Sequence, residues 1–194
     1  GGSCFKKDIL NLIYLCNFYG LTEVADFWKS VLRMNEWNQT RISKIIVQKL
    51  FGTISGKKIA ILGFSFKANT NDTRESPAIQ ICKDLIEEGA DLRIYDPKVN
   101  KFQIEKDLEQ EQLNNNGDGS WTLCKSIKDI AIDADAIVIA TEWEEFKSLD
   151  WSYISRIMRS PKWLFDTRGI TNYCDLRGCN INYWKIGLGD LSSP

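Results

Sequence analysis

Histidine is absent from this 194-residue sequence. Its absence removes Ser-His and Cys-His couples from within the chain and argues against a zinc site. The six cysteines, at 4, 16, 82, 124, 174 and 179, include no C-x-x-C pair and no metal-ligand spacing. Cys16 and Cys82 fall in apolar helical patterns, where cysteine serves as a small buried hydrophobe, so a reduced, cytoplasmic setting is expected. No apolar run approaches the roughly 18–20 residues of a membrane span, and the residues given include no signal-type stretch. Neither sign of charge dominates. The 25 Lys and Arg are interspersed with 26 Asp and Glu, leaving no basic face for nucleic acid or an anionic membrane. An initiating Met is also missing, and the sequence is expected to be part of something longer. A hydrophobic content of 43% supports one good core, or a core with a helical appendage.

The strongest chemical clue lies at the start, in Gly1-Gly2-Ser3-Cys4-Phe5-Lys6-Lys7-Asp8. Glycines allow a tight bend, Ser3 suits a helix N-cap, and an amphipathic helix follows. Cys4 would then lie in the first turn, where unpaired backbone N–H groups favour a thiolate nucleophile. Asp8, four residues on, shares its helical face and could orient water or accept a proton. It would also oppose the thiolate, an effect that Lys6 or Lys7 offsets.

Apolar residues at Ile9, Leu12, Ile13, Leu15 and Cys16 mark a helix over 4–19 that Gly20 stops. Thr22 is the expected N-cap of a second helical pattern over 23–50, either one long helix or two bent near Asn35. Trp28 and Trp37 on it suit either a domain or subunit contact or an ordinary core stripe. Beyond Gly56 the period changes. Strands are expected at Lys58–Gly63, Leu92–Pro97, Ala136–Ala140, Trp163–Phe165 and Ile181–Ile186. Helices are expected from Pro77 to Gly89, over Ile127–Ile132 and over Trp151–Arg159, and the polar stretch 109–120 as a loop. This alternation predicts an α/β fold, a doubly wound parallel sheet preceded by helices.

In such sheets ligands bind beyond the carboxyl ends of the strands. Lys67, Arg74 and Arg168 follow strands there, and three cations in one crevice suit a diphosphate. Ion pairing of the arginines with Asp72 or Glu75 accounts for them equally well. The turn after the first strand has Gly63 alone rather than G-x-G-x-x-G, which argues against a nicotinamide-binding lobe here. Asp96, before Pro97, suits either a ribose ligand or a turn former.

Six segments occur in order: Gly-Gly-Ser-Cys4-Phe-Lys-Lys-Asp8, Ile-Leu-Gly63-Phe-Ser-Phe66-Lys67, Asn-Asp72-Thr-Arg74-Glu-Ser-Pro77, Tyr95-Asp-Pro97, Thr141-Glu-Trp143 and Asp166-Thr-Arg168. Together they resemble the carboxyl-terminal part of the UDP-glucose/GDP-mannose dehydrogenase family, on its UDP-glucose 6-dehydrogenase branch; Phe5 favours that branch over the GDP-mannose one. The resemblance implies a Rossmann-like UDP-sugar-binding domain over 53–194, preceded by a helical remnant of a central dimerisation domain over 1–52. It further implies NAD-dependent two-step oxidation of UDP-glucose to UDP-glucuronate through a Cys4 thiohemiacetal and thioester, with Asp8 assisting. Gly1, Phe66, Lys67 and Arg168 match substrate-binding positions; Cys4, Phe5, Lys6, Lys7 and Arg74 match positions near NAD. The family's main NAD lobe is missing, so this chain alone is expected to be inactive, with a homodimer or larger assembly formed by the intact enzyme. Asp-Thr-Arg-Gly departs from the family's commoner Asp-Gly-Arg at Thr167. The rival expectations are a GDP-mannose-type enzyme and a stand-alone binding or oligomerisation module built on helix 23–50.

Overall fold

The computed structural model describes residues 2–109 and 119–191; most of the expected 109–120 loop, and Gly1, lie outside the described residues. Two helices open the chain, α1 (Ser3–Phe18) and α2 (Thr22–Lys49). They pack as a hairpin through Ile13 and Cys16 of α1 and Ala25 of α2. Between residues 22 and 49 there is no glycine or proline, and α2 runs as one helix of 28 residues. Both expected N-caps shift by one residue. Gly2, at φ 90°, caps α1 in place of Ser3, and Leu21 caps α2 in place of Thr22; neither supplies a side-chain capping bond. Gly2 takes the left-handed backbone that admits the helix one residue early, so Ser3 is already helical.

The carboxyl-terminal half of α2 belongs to the sheet's core, burying Ile42, Ile46 and Leu50. Its other half leaves Phe27, Met34 and Trp37 more than half exposed.

The sheet comprises β1 (Lys58–Leu62), β2 (Asp91–Tyr95), β3 (Ser120–Leu123), β4 (Ala136–Ile139), β5 (Trp163–Asp166), β6 (Asn182–Lys185) and β7 (Gly189–Leu191). Its order is β3-β2-β1-β4-β5-β6-β7, with β7 antiparallel to β6 and every other pair parallel. Successive side chains go to opposite faces. Ile59, Ile61, Val138, Phe165 and Trp184 enter a core with α2, α3 (Pro77–Glu87) and α4 (Lys101–Glu109). Ala60, Leu62, Ile137, Ile139 and Leu164 enter a second core with α5 (Ile127–Ala131) and α6 (Trp151–Ile157). Both faces of the central strands are thus covered, which is why they read as continuous apolar runs. Each fully buried Ile or Leu contributes about 1.5–3 kcal/mol.

Three of the elements named above were not expected from the sequence: α4, β3 and β7. The five expected strands and the doubly wound parallel sheet are present. Strand order reverses between β1 and β4, the switch point at which such sheets open a crevice.

Candidate functional site

The site is built where β1 and β4 end. Gly63 has φ 91°, and a Cβ there would stand 2.4 Å from Thr141 Cβ, so only glycine lets the two strand exits close up. Across this approach Thr141 Oγ1 donates to the Ser65 carbonyl at 2.6 Å.

Asp96, just beyond β2, fixes the loop leaving β1. Its Oδ2 accepts from the Phe64 and Ser65 amides at 2.8 and 3.0 Å and from the Trp143 indole at 3.2 Å. Its Oδ1 accepts from the Lys98 and Val99 amides at 2.9 and 3.0 Å. The carboxylate is buried and fully engaged by protein donors. Of its two readings the turn former holds, because a ribose hydroxyl would find no free acceptor.

Asp166 does the same at the end of β5. Fully buried, it accepts from the Arg168 and Gly169 amides at 3.1 and 2.7 Å through Oδ1 and from Thr171 at 2.7 Å through Oδ2. This wraps the loop and sets Arg168 beyond the strand. The Arg168 Nε donates to Glu142 Oε2 at 2.6 Å, and its Nη2 meets the same oxygen. The Ala68 amide faces Glu142 Oε1 at 3.4 Å, and Lys67 Nζ lies 5.3 Å from the Phe66 ring centre. Glu142 thus ties Arg168 to the Ala68 backbone, next to Lys67, across three strand ends. The sequence marked Glu142 only as part of the Thr141-Glu-Trp143 motif, and nothing around it in the chain signals the pairing with Arg168.

A second group surrounds the sulfur. Cys4 is exposed in the first turn of α1, as expected, and Asp8 is exposed on the same helix. The loop before Cys4 is docked onto the β1–α3 connection: the Gly2 amide donates to the Glu75 carbonyl at 3.0 Å, and Lys6 pairs with the Glu75 carboxylate at 3.5 Å. Phe66 lies so close to Gly2 that a Cβ there would stand 2.9 Å from its ring. Arg74 pairs with Asp72, Nη2 to Oδ2 at 2.7 Å and Nε to Oδ1 at 3.0 Å. The hydrogen bonds to Asp72 raise the Arg74 guanidinium above its ordinary value, with Cys4 a lesser electrostatic neighbour, and Arg74 holds the Asp72 carboxyl below the usual range. For Arg74, then, the ion-pair reading is the one observed.

An open groove of about 600 Å³ runs along this group, lined by Ser3, Lys6, Lys7, Arg74, Lys83 and Asp107 among others. Lys67 and Arg168 do not line it, so the three cations are not gathered in this groove. Phe5 lines a different, apolar groove with Met34 and Trp37. Phe66 links the two groups, carrying Lys67 next to it in sequence and touching Gly2.

Residues 60–173 match the family model described as the UDP-glucose/GDP-mannose dehydrogenase family, UDP binding domain. The chain belongs to this family. It is 43% identical over 202 residues to UDP-glucose 6-dehydrogenase 4 of Arabidopsis thaliana, covering 96% of this chain and 41% of that protein. Against UDP-glucose 6-dehydrogenase of Drosophila melanogaster the identity is 45% over 196 residues, with 96% and 40% covered. Among solved structures, a UDP-glucose dehydrogenase from the hyperthermophilic archaeon Pyrobaculum islandicum superposes with a TM-score of 0.62 at 29% identity, over 78% of this chain and 32% of that one. The chain thus spans about two fifths of the length of the curated dehydrogenases it matches.

Proposed function

We propose that this chain is the substrate-side part of an NAD-dependent UDP-glucose 6-dehydrogenase. The Phe66–Lys67 turn and Arg168 would hold the UDP moiety, and Cys4 would act on the sugar. The observation that carries this reading is that Glu142, after β4, ties Arg168, after β5, to the Ala68 amide next to Lys67 in the loop after β1, with the Cys4 loop docked against Phe66 of that same loop. Forked guanidinium donors and a lysine suit the two phosphates, and an aromatic ring suits a base or sugar face. Gly1 remains a proposed substrate contact through its sequence match alone.

Cys4 would bond the aldehyde carbon through its sulfur and carry it through thiohemiacetal and thioester stages; hydrolysis would return the thiol and leave the carboxylate. Asp8, one turn along α1, would orient the water or take its proton. NAD would supply the hydride acceptor for both oxidations. The residues present fit only one edge of that cofactor. The connection from β1 reaches α3 after fourteen intervening residues, and Ser76 caps the helix itself, accepting from the Ala78 amide at 3.3 Å, so no dinucleotide cradle forms there. Arg74, Lys6 and Lys7 beside Cys4 can meet an anionic cofactor along the open groove, and Phe5 remains a proposed cofactor contact by its match. The 194 residues alone are accordingly expected to bind nucleotide without turning over.

We divide the chain into a helical part, 1–52, and a UDP-sugar-binding part, 53–194. Exposed Tyr14, Phe18, Phe27, Met34 and Trp37 on the helical part support a role in assembly, as homodimer or larger. Among the described residues no helix is long and apolar enough to cross a membrane, which is compatible with the cytoplasmic site of action proposed here.

Calorimetric titration with UDP and UDP-glucose tests the reading. Saturable heat is expected, stronger for UDP than for GDP. No heat at millimolar ligand would overturn it, and a preference for GDP would favour the GDP-mannose type.

A further inference from the structure

Glu142 places a carboxylate at the cationic end of the site, where an anion-binding crevice should exclude one. Like charge facing a diphosphate weakens binding unless the carboxylate serves the cations around it. Its two oxygens are divided between two strand exits. Oε2 takes the Nε and Nη2 side of Arg168, which follows β5. Oε1 faces the Ala68 amide, in the loop that follows β1. Glu142 itself follows β4, which lies between β1 and β5 in the sheet. Neither Arg168 nor Glu142 is freely solvated, with side chains 26% and 33% exposed.

A guanidinium carries five donors in a rigid planar fork. Held along its Nε/Nη2 side, it keeps its remaining donors for phosphate oxygens, with its flexible stem already ordered. An unrestrained arginine would instead lose that rotational freedom on binding.

We propose that Glu142 is a positioning residue of the diphosphate site, fixing Arg168 by one side while tying the Lys67–Ala68 turn to the same point. This rests on the reading that Phe66, Lys67 and Arg168 hold the UDP moiety. The competing role is a placeholder, a carboxylate that occupies Arg168 until phosphate displaces it. The two roles predict opposite signs. Removing a placeholder tightens binding, whereas removing a positioning group weakens it.

The test is calorimetric titration of UDP into the whole chain, comparing wild type, Glu142→Gln, Arg168→Ala and the double variant, with thermal melts of each. Glu142→Gln is expected to weaken UDP binding about tenfold, equivalent to about 1.4 kcal/mol. In the Arg168→Ala background it should have no further effect, because the glutamine amide oxygen still accepts from Ala68 and there is no guanidinium left to position. A merely structural role would act equally in both backgrounds, and that result overturns the proposal. So does unchanged or tighter binding by Glu142→Gln. Should that variant fail to fold, Glu142→Asp, too short to reach both partners, carries the cycle, and its effect should be smaller in the Arg168→Ala background, where only the Ala68 contact is left to lose. Wild-type silence toward UDP would remove the underlying reading as well, whereas wild-type binding with an unaffected Glu142→Gln removes this inference alone.

Discussion

The Gly2 amide donates to the carbonyl oxygen of Glu75 at 3.0 Å, so the peptide two residues before the nucleophile candidate is fastened to the loop that follows β1. Glu75 presents that carbonyl from a left-handed backbone, φ 55°, which is uncommon for a residue with a side chain. Its carboxylate adds the Lys6 pair, and Phe66 closes over Gly2. The loop carrying Lys67 and the loop carrying Cys4 are thereby one contact apart.

Replacing Gly2 with alanine should loosen this docking. The new Cβ meets Phe66 at 2.9 Å, and φ 90° strains a residue with a side chain by about 1–3 kcal/mol. The segment lies at one end of α1 and packs on a loop rather than within the sheet core, so detachment is cheaper than unfolding. Amide exchange over residues 3–6 should accelerate while the melting temperature stays unchanged. Unaltered exchange would mean that the docking does not hold the loop.

Asp96→Ala should be severe. It leaves the Phe64, Ser65, Lys98 and Val99 amides and the Trp143 indole without their acceptor. Each unsatisfied buried donor costs about 1–3 kcal/mol, so even partial rescue by water leaves a loss of more than about 4 kcal/mol. The midpoint of urea unfolding reads this out. A loss under about 1 kcal/mol would show that Asp96 does not organise the β1, β2 and β4 exits.

Much of this architecture was legible because burial on both faces leaves a plain signature, as in Ala136-Ile-Val-Ile of β4, buried at every position. Three elements lacked that signature. Strand β3, Ser-Trp-Thr-Leu, is a short edge strand with no buried position. Strand β7 has three residues at the other edge. Helix α4 buries Ile104 and Leu108 while Phe102 faces solvent, too sparse a stripe to announce a helix. The site divides in the same way. Its motifs stood out along the chain, but the engagement of Asp96 by Trp143 and of Arg168 by Glu142 arises only when strands distant in sequence end side by side. The first N-cap shifted for a local reason: a glycine's backbone freedom outweighed the side-chain preference of Ser3.

Alkaline pH should destabilise the chain. Cys82 is fully buried, and desolvation pushes its thiol far above the ordinary value, with Asp84 adding to the shift. Burial raises the Tyr183 phenol as well, helped by Asp166. Folded forms of both groups hold protons that the unfolded chain releases. Their contribution is complete below the unfolded values, about 8.5 for Cys and about 10 for Tyr, and falls as pH rises above them. Cys82 alone should lower stability by about 1.4 kcal/mol per pH unit above about 8.5. Urea midpoints at pH 7.5 and 9.5 test this, and Cys82→Ala should flatten the difference. Equal midpoints in the wild type would contradict it.

Thiol labelling should rank the cysteines by position. Cys16, Cys82 and Cys179 are buried, whereas Cys4 and Cys174 are exposed, so access alone separates two from three. Between the exposed pair, Cys4 should react faster with iodoacetamide, because its sulfur lies at a helix start with unpaired N–H groups and has Arg74 as a cationic neighbour. That help is blunted, since Asp72 grips Arg74 and cancels much of its field at a distance. Opposite effects follow for the two partners. Arg74→Ala should slow Cys4 labelling about two- to threefold, and Asp72→Asn should speed it by a similar factor, both within the range of exposed charge pairs and both fading in high salt. Cys174, remote in sequence from this pair, serves as the internal reference and should keep its rate in both variants. Peptide mapping after brief alkylation reads every site at once. Equal wild-type rates at Cys4 and Cys174 would mean that the helix start confers no reactivity, and Cys4 would lose its physical claim to be the nucleophile.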